Sequence, residues 1–95
     1  LDKIPSVEKV IEHETKDADI TFRYKDKTYA IEVETGSLLR KKIQLRNKIK
    51  SLNRMYKGRW LILVSNRNLL SKYQKLGPAV DRKRVHKKIM KMLEI

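Results

Sequence analysis

Five consecutive apolar residues, Trp60-Leu61-Ile62-Leu63-Val64, stand in a chain of 95 residues of which 37% are charged. An uninterrupted apolar run of strand length is a strand buried on both faces. Such a strand belongs in the middle of a sheet with helices layered over it. This run therefore sets the frame: an α/β domain, small enough to be a single unit spanning 1–95.

The neighbouring segments fill that frame. Ala18-Asp19-Ile20-Thr21-Phe22-Arg23-Tyr24 alternates and is rich in β-formers. Lys25-Asp26-Lys27 reads as a polar turn, and Thr28-Tyr29-Ala30-Ile31-Glu32-Val33-Glu34 as a second strand, which together predict a β-hairpin. Residues 6–14 fit a helix face through Val7, Val10 and Ile11, or a strand through their β-branched content, and strand is the preferred reading. Ser37 is a candidate N-cap for a long helix over 38–56. Its apolar positions are Leu39, Ile43, Leu45, Ile49, Leu52, Met55 and Tyr56, and Lys57-Gly58 stops it. After the apolar strand a short helix is expected near 68–75, ended by Gly77-Pro78. Asp81 then caps a last helix that buries Val85, Ile89, Met92 and Leu93. The expected product is a mixed β-sheet flanked by helices, with a crossover through the long helix.

Charge is distributed unevenly. Residues 1–36 hold six Lys/Arg and nine Asp/Glu, a net −3, whereas residues 37–95 hold eighteen bases and two acids, a net +16. A basic surface of this kind attracts a polyanion, because each neutralised phosphate releases counterions. DNA is the expected partner, met by Arg40, Lys41, Lys42, Arg46, Lys48 and Arg67 along the backbone rather than at the bases. No run of 18 or more apolar residues suggests a membrane span. The absence of cysteine excludes disulfides and Cys-based zinc sites and fits a cytoplasmic protein. The chain opens on Leu1 rather than Met, so a fragment of a larger protein is expected, with part of the fold missing in front.

Inside this basic chain lies a compact set of acids. Glu32 and Glu34, two apart on a strand, point to one face. A hairpin centred on Asp26 puts Asp19 opposite residue 33, between the two glutamates. Carboxylates gathered on a sheet repel one another unless a cation neutralises them. Hard oxygen donors select Mg²⁺ or Mn²⁺, and such an ion beside a phosphodiester activates water. On the following helix Lys41, Gln44 and Lys48 form a stripe that can face these acids. His13 and His86 are read as surface or partly packed residues. Trp60 and Tyr56 are read as core, so Tyr24, Tyr29 and Tyr73 alone could be spare for stacking on bases.

Asp19, a hairpin, Ile31-Glu32-Val33-Glu34, a basic helix and an apolar strand, in that order, resemble the PD-(D/E)xK nuclease superfamily. That superfamily includes restriction endonucleases and archaeal Holliday junction resolvases. The resemblance spans roughly residues 7–75 and implies a restriction endonuclease-like fold. The Ile-Glu-Val-Glu-Thr-Gly string is similar to nuclease-like domains of archaeal and mobile-element proteins, often joined to an ATPase or helicase. What it implies is a Mg²⁺-dependent DNA endonuclease with Asp19, Glu32 and the Val33 carbonyl as metal ligands, and Glu12 or Glu14 joining from upstream. Ala18 stands where the pattern has Pro, and Glu34 where it has Lys. Some restriction endonucleases carry Glu there; in other members the Lys has moved to the next helix, which makes Lys41 or Lys48 its replacement. Branches related to exonucleases place a Gln on that helix, which Gln44 matches. Glu34, Gln44 and Lys48 thus join Asp19 and Glu32 as implied catalytic residues, and duplex cutting implies a homodimer. The alternative is a catalytically inactive domain of the same fold that only binds DNA.

Overall fold

The computed structural model describes the backbone of residues 9–12 and all of residues 18–94. Its centre is a five-stranded sheet in the order β1 (Lys9–Glu12), β2 (Ile20–Tyr24), β3 (Lys27–Glu34), β4 (Trp60–Val64) and β5 (Ala79–Val80). β1, β2 and β3 are antiparallel neighbours, whereas β3, β4 and β5 run parallel. The helices are α1 (Lys42–Tyr56), α2 (Leu70–Gln74) and α3 (Val85–Met92), with 3₁₀ turns at Ser37–Arg40 and Arg67–Leu69. The α/β class and mixed sheet expected from the sequence are present. The strand reading of residues 6–14 holds for Lys9–Glu12; the rest of that segment lies outside the described residues.

Pleating sorts the sheet into two faces. Ala30, Ile62 and Ala79 share one face with Leu45, Leu52 and Tyr56 of α1 and Tyr73 of α2. Phe22, Ile31, Leu61 and Val80 share the other with Ile89 and Leu93 of α3. Leu61, Ile62 and Val64 are almost fully buried, as an apolar run between two helical layers must be.

Several expectations are corrected. The hairpin turn has two residues, Lys25 and Asp26, both at positive φ (50° and 64°), and the strands pair Tyr24 with Lys27 and Ile20 with Ile31. Extending that register sets residue 19 opposite Glu32 rather than Val33. The long helix is split: Lys41, at φ −109° and ψ 67°, separates the 3₁₀ turn from α1, and Gly36 rather than Ser37 stands at the N-cap of that turn. Ile43 and Met55 are exposed, since they fall outside the stripe of Leu45, Leu52 and Tyr56. Asp81 caps the turn before α3, where its Oδ1 accepts from Arg84 N–H at 3.0 Å. The two-residue strand β5 has no period to betray it, and its position beside β4 is a tertiary property.

The turn carries a prediction. Left-handed backbone at two residues with a Cβ costs energy that Asn and Gly avoid. The double substitution K25N/D26G should therefore raise stability by roughly 1 kcal/mol. Urea denaturation at neutral pH reads this directly.

Candidate active site

The carboxyl end of β3 meets the start of β2 at the same edge of the sheet. The chain bends at Asp19 just before β2 begins, and the Asp19 side chain takes over where the strand leaves off: its Oδ2 accepts from the Val33 N–H at 2.8 Å. Even-numbered residues of β3 direct their backbone toward β4, as Arg59 O to Ala30 N–H and Glu34 O to Ser65 N–H show. The Val33 backbone, carbonyl included, therefore faces the Asp19 side.

Glu32 and Glu34 point from β3 into the face covered by α1 and α2, and each is 3% exposed. Burial of two carboxylates in one strand is costly unless each finds a partner. Glu32 has two neighbours of opposite effect. Lys48, on the flank of the buried stripe of α1, forms an ion pair with Glu32 Oε1. Asp19 approaches within hydrogen-bonding reach on the other side. Glu32 Oε2 is buried and, among the described residues, has no hydrogen-bond partner. Burial pushes the Glu32 carboxyl up to about 7, against the pull of Lys48 and with the help of the Asp19 charge. Burial likewise raises Glu34, opposed by Lys48. For Lys48 burial acts downward, but the bond to Glu32 and the charges of Glu32, Asp19 and Glu34 outweigh it and raise its pKa.

Glu34 sits next to the fully buried Tyr73 of α2. The Tyr73 hydroxyl feels the Glu34 charge but, among the described residues, makes no aligned hydrogen bond. Burial raises the phenol first, and Glu34 adds to it. Sequence reasoning treated Tyr73 only as a possible stacking residue. Its place three residues after Leu70, on the apolar side of a short helix, was the signal for burial.

The three-carboxylate cluster is thus corrected to a pair. Among the described residues no group of three His, Asp or Glu converges on one point. Asp19 and Glu32 meet, whereas Glu34 is turned toward Tyr73. The side chains of Glu12 and Glu14, and all of His13, lie outside the described residues. His86 is exposed. The donor set still suits a hard divalent ion: two carboxylates in mutual reach, one with a buried oxygen that has no partner among the described residues, beside a backbone carbonyl.

The predicted basic residues divide. Of the stripe Lys41, Gln44 and Lys48, only Lys48 reaches Glu32; Gln44 is exposed, and Lys41 lies outside α1. Arg40, Lys41 and Gln44 line a shallow depression at the start of α1. Lys42, which also borders that depression, and Arg46 line a groove shared with α2. Arg67 is exposed just beyond β4, its Nε 3.7 Å from Oδ2 of the buried Asp81. Tyr24, Tyr29, Tyr56, Trp60 and Tyr73 are all buried, so none of them offers a face to a base. No helix among the described residues is long and apolar enough to cross a membrane.

The raised Glu32 carboxyl has a measurable consequence. Its ordinary value is 4.5 and its value here about 7, so between those limits the folded chain holds a proton that the unfolded chain has lost. Stability that is full below pH 4.5 should fall as pH rises through about 7. Denaturation curves from pH 4.5 to 8 check this, with E32Q expected to flatten the slope.

Comparison of the chain with protein-family models, with curated proteins and with solved structures gives no match.

Proposed function

We propose that this domain is a Mg²⁺- or Mn²⁺-dependent DNA nuclease module of restriction endonuclease-like fold. The observation that carries the reading is the buried Glu32 Oε2 beside Asp19, without a hydrogen-bond partner among the described residues, in a chain with net charge +13. Two acids in mutual reach favour a cation between them, and the basic surface favours a polyanion in front of them.

Asp19 and Glu32, with the Val33 carbonyl, would hold the ion, which when bound would polarise the phosphodiester and acidify water. The chain's own residues do the rest. Val33 N–H fixes the Asp19 carboxylate in place. Lys48 neutralises Glu32 in the free chain and is near enough to move its ammonium to a phosphate oxygen when Glu32 is otherwise neutralised. Glu34, raised by burial, is suited to take a proton from the attacking water. Gln44, Arg40 and Lys41 line the depression at the start of α1, where they can contact the DNA backbone.

One observation favours a second reading, a silent DNA-binding domain. The Lys48 ammonium already occupies one Glu32 oxygen, and Glu34 stands where related enzymes place Lys. The readings separate in one assay. Single-stranded, duplex and branched DNA are incubated with the chain and Mg²⁺ or Mn²⁺, with and without chelator. Chelator-sensitive cleavage supports the nuclease; salt-sensitive binding without cleavage of any substrate supports the silent domain.

A further inference from the structure

The flank of α1 away from the acids forms a groove of about 650 Å³ with α2. Its floor is aliphatic: Leu39, Leu45 and Ile49, closed at one end by Leu76, which is 43% exposed. Its rim is entirely cationic. Lys42, Arg46 and Lys50 stand along α1, Lys72 on α2 and Lys75 just after it. Among the described residues no acid lines it.

From this pairing of an apolar floor with a basic rim we infer that the groove docks an acidic amphipathic helix of a partner protein. Charge complementarity fixes the sign of the occupant: five cations with no acid among the described lining residues repel one another until acids arrive. The floor fixes its other face. Aliphatic side chains gain contact only from apolar atoms, which a phosphate backbone does not present, and no aromatic ring lines the groove to stack a base. Length fixes the fit. From Lys42 to Lys50 the rim runs about 12 Å, roughly two helical turns, which is the reach of anchors spaced i, i+3, i+4 and i+7. None of Asp19, Glu32, Glu34 and Lys48 lines the groove, so its occupant need not displace the proposed active-site residues.

The test uses the full chain and fluorescence anisotropy. One labelled peptide of about four helical turns carries Leu at i, i+3, i+4 and i+7 with Glu at the remaining positions. A second has the same composition with its Leu spread around the helix, and a third probe is a short poly-dT strand. The patterned peptide should bind at least about tenfold more tightly than its isomer, and Lys50→Glu and Lys72→Glu should each weaken it about tenfold. Both lysines are exposed and lie outside the site, so the variants should fold, as circular dichroism would confirm. Absent or equal binding of the two peptides overturns the inference. So does a loss of poly-dT affinity in these variants as large as the loss of peptide affinity, which would assign the groove to nucleic acid.

Discussion

Glu32→Gln should remove both cation binding and cleavage, lowering the rate on DNA by more than about 100-fold, while the chain stays folded. Gln is close in shape to Glu, and its amide oxygen can still accept from Lys48. What disappears is the negative charge that draws a divalent ion to this edge of the sheet. Asp19→Asn should act in the same direction, since it keeps an oxygen for the Val33 N–H but lowers the charge. DNA affinity at fixed salt should change little in either variant, because the basic surface is untouched. Cleavage kinetics and a DNA-binding isotherm on the same preparation make the comparison. Wild-type cleavage by Glu32→Gln would move the chemistry away from this pair.

Lys48→Met should divide stability, ion binding and rate in three directions. Lys48 is the counter-charge to a carboxylate that is only 3% exposed. Removing one partner of a buried pair costs about 3–5 kcal/mol when the other must stay charged. Glu32 can instead take a proton, so the cost should be small near pH 5 and approach that range near pH 8. Without the ammonium, Asp19 and Glu32 compete for one cation fewer, and Mn²⁺ should bind more tightly than in the wild type. Cleavage should nevertheless fall about 100-fold or more, because no ammonium remains to meet the charge that develops on phosphorus. A structural role alone would move stability and leave ion affinity unchanged. Urea curves at two pH values, Mn²⁺ titration and single-turnover cleavage read the three effects separately.

Much of this architecture could be read along the chain, and the exceptions have physical causes. Trp60–Val64 announced a buried strand because nothing but full cover tolerates five apolar residues in a row. The spacing of Glu32 and Glu34 correctly put both on one face, since strand period is two. The depth of their burial was not legible, because it depends on α1 and α2 folding over that face. Hairpin register slipped by one because Lys25 and Asp26 adopt positive φ without the Asn-Gly signature that marks such a turn. Lys48 was one cation among many in the sequence. Its place beside Leu45, Ile49 and Leu52 on the helix wheel was the clue that it alone of the stripe turns inward. Lys42 and Arg46 were grouped with it by composition, yet a rotation of α1 sends them to the far flank.

Glu34 is the residue whose meaning changed most. In the sequence it is one of three converging acids, with the ion assigned to Asp19, Glu32 and Val33 and the catalytic role of Glu34 implied by the resemblance. In the structure it is buried and turned toward Tyr73, apart from the pair that Asp19 and Glu32 form. Its own carboxyl, raised by burial, adds to the fall in stability as pH rises above the ordinary carboxylate range.

The most direct measurement is a Mn²⁺ soak of crystals of the chain above pH 7, with anomalous diffraction recorded at the manganese edge. A single anomalous peak in contact with the carboxylates of Asp19 and Glu32, with Lys48 displaced from Glu32, is the predicted result. A featureless map at that edge of the sheet, with Lys48 still paired to Glu32, would contradict a cation site there.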